Sequence, residues 1–250
     1  MYIFACSPCA AFPKEKQWRS NRRFLLSLRK RKWSGKKKKK KRISFAWTKL
    51  SSSMTTDFDL TGQLVWPGAM LLNDYLSKNA EMLQGCSMIE LGSGVGITGM
   101  LCSRFCHQIL LTDHNDEVLK ILRRNIELNT SSENPSCCAA LEAEKLEWGN
   151  SDHINSILHK YPGGFDLILG ADICFQQSSV PLLFDTVEQL LRNRGSGHCK
   201  FILAYVSRAK MMDSMVITEA TRHGMLINEV AGTRSVVANL EGVIFEITLC

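Results

Sequence analysis

The sequence predicts an α/β protein built on a doubly wound, mostly parallel, Rossmann-like sheet of seven strands, with an antiparallel last strand pair and a disordered basic N-terminal arm. Three observations predict it. Short apolar runs alternate with segments of helical spacing from residue 57 to the end. The run Met88-Ile-Glu-Leu91 passes straight into Gly92, Gly94 and Gly96 before a helical pattern begins, the strand, glycine turn and helix of a ligand-binding loop. The charge is concentrated at one end. Between Lys14 and Arg42 stand 16 Lys or Arg and one acid, Glu15, leaving 15 basic and 23 acidic residues elsewhere, so the net +7 is a basic arm on an acidic body.

The arm and its Ser-rich linker are assigned to residues 1–56 and a single domain to 57–250, a length that buries a substantial core. Runs such as Lys36 to Arg42 repel themselves and stay unfolded, and they serve as nuclear address labels or nucleic-acid arms. A transit segment and a functionless extension are the other readings. Met54 is a candidate start of the working protein. Most of the ten cysteines sit in apolar periodic segments, as Cys86, Cys102, Cys106, Cys174 and Cys199 do, which suits small buried hydrophobes rather than disulfides. Cys6-Ser-Pro-Cys9 has no second half, so no metal site is expected. No run of 18 apolar residues suggests a membrane span.

The elements follow in order. Pro67 opens a helix carrying Leu71, Leu72, Tyr75 and Leu76 at helical spacing. The glycine loop comes next, then a strand at 108–112 ending in Asp113 and a helix over 117–129, with Asp116 placed near its cap. A third strand is predicted at 137–146 and the strongest of the second half at 167–171, ending before Asp172. Helix 180–194, strand 201–206, helix 209–223 and strands 225–231 and 243–249 complete the domain. The last two strands have no helix between them, so one of them runs antiparallel. Residues 129–136 and 233–241 are expected to be loops that choose the substrate.

The glycine loop admits two ligand classes. Gly94-Val-Gly96-Ile-Thr-Gly99 satisfies the dinucleotide pattern G-x-G-x-x-G, but Gly92 and Ser93 intervene after the strand and a carboxylate, Glu90, closes it. A plain tight corner is the bland alternative. The order Glu90-x-Gly92-x-Gly94-x-Gly96 instead resembles motif I of the seven-strand S-adenosylmethionine methyltransferases, which implies an acid and glycine backbone facing the zwitterionic methionine end. Asp113, 17 residues beyond Gly96, is placed to accept both ribose hydroxyls of an adenosyl cofactor, or to begin the next helix.

Five motifs in order then sharpen the resemblance: Trp66 before a helix, Glu90-Leu-Gly-Ser-Gly94, Thr112-Asp113, Leu146-Glu-Trp-Gly149 and Phe165-Asp-Leu-Ile-Leu-Gly-Ala-Asp172. Together they resemble methyltransferase family 16, chiefly protein-lysine methyltransferases, over roughly residues 57–250. The resemblance implies that Trp66, Glu90, Gly92, Ser93, Gly94, Gly96, Asp113, Trp148 and Ala171 surround the cofactor, S-adenosyl-L-methionine. It also implies that Asp172 and Phe175 stand at the target lysine. Asp172 has a bland reading as a helix cap or a second cofactor contact. The family's Asp-x-x-Tyr is here Asp172-Ile-Cys-Phe175, which keeps an aromatic face and removes a hydroxyl.

The expected activity is methyl transfer to a lysine amine of a protein substrate, by a monomer in cytoplasm or nucleus with no membrane partner. A methyltransferase acting on nucleic acid or a small molecule, and a non-catalytic module that keeps the cofactor pocket, are the alternatives.

Overall fold

The computed structural model describes residue 62 and residues 64–130, 139–194 and 199–250. The basic arm, its proposed boundary at 56 and the Cys6–Cys9 pair lie outside the described residues, as does most of the predicted loop 129–136.

The described chain runs as α1 (Pro67–Lys78), a 3₁₀ turn (Ala80–Leu83), β1 (Ser87–Leu91), α2 (Ile97–Cys102), β2 (Gln108–Asp113) and α3 (Asp116–Thr130). It continues as β3 (Ala140–Lys145), α4 (Ser151–Lys160), β4 (Leu167–Ala171), a 3₁₀ turn (Gln177–Ser179), α5 (Val180–Arg194) and β5 (Lys200–Val206). The last part is α6 (Lys210–Arg222), β6 (Met225–Glu229), β7 (Ser235–Val237) and β8 (Leu240–Leu249). The sheet order is β3-β2-β1-β4-β5-β8-β6, with β7 on β8. Pairings among β1 to β5 are parallel, and β8 runs antiparallel between β5 and β6. The expected antiparallel end is therefore present, made by β8 inserted between its neighbours.

Alternation along the strands builds a three-layer molecule. Ile89 and Leu91, Leu110, Ile168, and Phe201 and Leu203 face a core shared with α4, α5 and α6. Met88, Ile109 and Leu111, Leu167 and Leu169, and Ile202 and Ala204 face the opposite core, under α1 and α3. Near-continuous apolar strands are what burial on both faces demands. The edge strand β3 carries Glu142 and Glu144, which pair with Lys160 of α4 and keep that edge polar.

Three elements differ from the sequence reading. Helix α4 was not predicted: Asn150 caps it by accepting from the Asp152 and His153 amides, and Ile154 and Ile157 bury its inner face. The sheet has eight strands, because the stretch expected as loop 233–241 folds into a β7–β8 hairpin. Its turn residues Ala238 and Asn239 both adopt left-handed φ, at 51° and 68°, as a two-residue hairpin of primed type requires. The α3 cap is Asn115, whose Oδ1 accepts from the Glu117 and Val118 amides, and Asp116 lies inside the helix paired with Lys145.

Strand order reverses at β1, which pairs with β2 on one side and β4 on the other. Open α/β sheets bind ligands in the crevice that forms there, outside the carboxyl ends of the strands.

Candidate functional site

A cavity of about 260 Å³ occupies that crevice. Its wall includes Trp66 ahead of α1, Glu90 and the loop Gly92-Ser93-Gly94 after β1, and Asp113 at the end of β2. Trp148 after β3, and Ala171, Asp172 and Phe175 after β4, complete the set of sequence-selected residues in it. Gly96 alone of that set is outside the lining. It is the N-cap of α2 with φ 82°, and a Cβ there would meet Leu122 Cδ1 at 2.4 Å, so it shapes the loop from the core side.

The loop is held both by its own turn, the Gly96 amide donating to the Ser93 carbonyl at 2.9 Å, and by its neighbours. The Ser93 amide donates to the Thr112 carbonyl at 2.8 Å, and the Ser93 hydroxyl donates to the Glu90 carbonyl and accepts from the Thr112 amide, both at 3.0 Å. These bonds tie the loop to the end of β2. Gly94, at φ 52°, approaches Gly62 so closely that a Cβ would stand 2.7 Å from the Gly62 carbonyl oxygen.

Two of the carboxylates lining the cavity, Asp113 and Glu90, have different surroundings. Asp113 is 6% exposed; its Oδ2 accepts from the Gly94 amide at 3.1 Å and its Oδ1 from the Asn115 amide at 3.0 Å. One donor to each oxygen fixes the carboxylate plane and leaves further lone pairs for a ligand. Glu90 is more deeply buried, 3% exposed, and its Oε2 accepts from the Gly99 amide at 3.1 Å. Burial pushes its carboxyl up to about 7, against the lowering effect of hydrogen bonds from Thr98, Gly99 and Ser93; nearby Asp113 adds to the rise. An acid so desolvated favours a cationic ligand group.

The lip beyond β4 holds what the sequence did not disclose. Asp172 adopts a left-handed φ of 60°, and its carboxylate forms a two-pronged pair with Arg208, at 2.5 and 2.9 Å. Its Oδ2 also accepts from the Gly68 amide at 3.1 Å. Asp172 is therefore an in-trans cap for α1, whose own N-cap Trp66 makes no side-chain cap bond. Both of its oxygens are thus engaged by Arg208. Above the pair, the Arg208 guanidinium lies 5.7 Å from the Trp66 ring centre, and Phe175 lies parallel to Trp66 with centroids 6.5 Å apart. Phe175 is 53% exposed, so its face is open at the mouth. Arg208 has no sequence motif that would have marked it.

A family model described as lysine methyltransferase matches residues 50–222. This chain belongs to that lysine methyltransferase family. The family uses S-adenosylmethionine, and a glycine loop, a desolvated acid and an oriented Asp113 fit that donor's ammonium and ribose. Mouse protein N-lysine methyltransferase METTL21A is 34% identical over 130 residues, 52% of this chain and 56% of that protein. EEF1A lysine methyltransferase 3 of Xenopus tropicalis is 34% identical over 126 residues, 50% of this chain and 51% of that protein. The protein N-terminal and lysine N-methyltransferase EFM7 of Yarrowia lipolytica is 28% identical over 181 residues, 66% of this chain and 64% of that protein. The chain spans about half the length of the first two relatives. Among solved structures, a Pyrococcus furiosus methyltransferase superposes with TM-score 0.52 at 15% identity, covering 72% of this chain and 84% of that one. Magnesium protoporphyrin IX methyltransferase of Synechocystis PCC 6803, with bound SAM, gives TM-score 0.51 at 10% identity, covering 72% of this chain and 76% of that one. Likeness at these identities shows the shared fold and nothing of substrate.

Proposed function

We propose that this chain transfers a methyl group from S-adenosylmethionine to the side-chain amine of a lysine in a protein substrate. The observation that carries the proposal is one cavity at the sheet's switch point with two unlike walls. The β1 and β2 side presents Glu90, the glycine loop and Asp113; the β4 side presents the aromatic pair Trp66 and Phe175. Bound there, the donor supplies a methyl already activated by its sulfonium.

The work left to the chain is positioning. Glu90 and the loop amides hold the donor's charged end, and Asp113 holds its ribose. The faces of Trp66 and Phe175 take the apolar lysine stem. The apolar mouth disfavours the charged amine, which eases loss of its proton to water. No general base is required once the amine is neutral and aligned. The basic run 14–42 supports a nuclear as well as a cytoplasmic setting for this reaction.

The test is incubation of the purified chain with cell extract and donor carrying a labelled methyl, followed by hydrolysis of the products. Labelled methyl-lysine is the expected result. Label in nucleic acid or small molecules replaces the proposal with the second reading, and donor binding without label replaces it with a binding module.

Phe175 in place of the family tyrosine is the feature that favours a module. If positioning is sufficient, Phe175→Tyr changes kcat by less than about threefold, because the ring stack on Trp66 is kept. A gain approaching the ~100-fold of a working acid or base shows instead that a missing hydroxyl limits this enzyme.

A further inference from the structure

We propose that Arg208 is a positioning residue for the aromatic wall of the cavity, acting through Asp172 on the start of α1. The inference rests on the proposed lysine methyl transfer for one of its readouts and is independent of it for the other.

The contacts form one chain of command. The Asp172 side chain is 1% exposed, and its oxygens meet the Arg208 guanidinium in a fork-on-fork arrangement. Its backbone is pinned as well, the Asp172 amide donating to the Ala204 carbonyl at 2.9 Å. Gly68 packs directly on it: a Cβ at Gly68 would stand 2.6 Å from Asp172 Cβ. Helix α1 has no acid in its first turn, so Asp172, 104 residues away, supplies both the acceptor and the negative charge that the helix start needs. Trp66 is the residue immediately before that helix and forms the cavity wall.

Arg208 itself is anchored. The neighbouring Ser207 amide donates to the Glu241 carbonyl at 2.8 Å, and the Ser207 and Tyr205 hydroxyls donate to Asp213 at 2.9 and 2.6 Å. The β5–α6 segment is thus a fixed post, and Arg208 transmits its position to β4 and α1 at once. The bidentate fork is what Lys cannot reproduce. Removing the guanidinium leaves a buried carboxylate without its cation, which loosens the cap and lets Trp66 drift from Phe175.

Arg208→Ala, Arg208→Lys, and Arg208→Ala combined with Asp172→Asn test this in the full chain. Hydrogen exchange of the α1 start, read on a peptide covering residues 66–76, is expected to speed up about tenfold in Arg208→Ala. Arg208→Lys should fall between, and the double variant should return toward wild type because a neutral amide keeps the Gly68 bond without a buried charge. Methylation kcat is expected to drop ten- to a hundredfold in Arg208→Ala, as for misplaced walls elsewhere, with affinity for S-adenosylhomocysteine changed less than about threefold. Unchanged exchange at 66–76 in Arg208→Ala overturns the proposal. So does a loss in exchange protection spread evenly over the sheet and not rescued by the double variant. If wild type methylates no lysine, the functional reading fails while the exchange measurements still decide this one.

Discussion

Asp113→Ala is expected to weaken binding of S-adenosylmethionine by roughly tenfold to more than a hundredfold, about 1.5–3 kcal/mol for loss of a charged acceptor. The carboxylate is oriented before any ligand arrives, because the Gly94 and Asn115 amides each hold one of its oxygens. Its replacement therefore removes the acceptor proposed for the ribose and releases the Gly94 amide within the glycine loop. Asp113→Asn keeps one acceptor oxygen and is expected to lose less. Calorimetric titration with S-adenosylhomocysteine, alongside a thermal melt, checks both. Unaltered affinity in a variant that melts like wild type removes Asp113 from the site.

That residue shows why the β1 and β2 side of the cavity could be read from sequence. Glu90, the glycines and Asp113 lie at strand ends, where period-two apolar runs announce the boundary and a polar residue stands out against them. The glycine loop is also local: five residues decide its path, and left-handed φ at Gly92, Gly94 and Gly96 follows from their identity. Gly96 shows the limit, since sequence spacing marks a position in the loop without saying whether it faces ligand or core.

The β4 side of the cavity was legible only in part. Asp172 and Phe175 stand at the positions of the family's Asp-x-x-Tyr, but the partner that fixes Asp172 is Arg208, 36 residues on and on another strand's exit. Nothing local encodes such a pair; the parallel pairing of β4 with β5 creates it. The missed helix α4 had signals of moderate strength, an Asn150 cap with Ile154 and Ile157 three apart, in a segment of ten residues. The missed strand β7 had fewer. It is three residues long, and its turn places Ala238, a residue that avoids left-handed φ, where Asn or Gly usually announces a hairpin.

Glu90 supplies the second large effect, and its sign can be worked out. In the free protein its carboxyl stands at about 7 because burial disfavours the charged form. The unfolded chain has the ordinary value near 4.5. The folded state therefore binds more protons between those two values, and the stability this group contributes is full below pH 4.5 and lost as pH rises through 7. A bound ammonium reverses the preference, since it needs the ionised carboxylate, and an α-amino group stays protonated up to about pH 7.7. Donor affinity is accordingly expected to climb as pH rises from 5.5 to 7, by up to about tenfold per unit at the acid end, where each ligand bound must displace one proton. Glu90→Gln removes the titration. Its affinity should be lower at pH 7.5 and nearly flat down to 5.5, while its ligand-free melting point at pH 7.5 should exceed that of wild type, because a neutral amide carries no buried charge. Isothermal titration and thermal melts across that range measure both quantities. A wild-type affinity that is flat over pH 5.5–7 contradicts the assignment of Glu90 to the ammonium. A Glu90→Gln profile that still climbs places the titrating group elsewhere, with His114, exposed on the cavity rim 3.6 Å from Asp113, the next residue to replace.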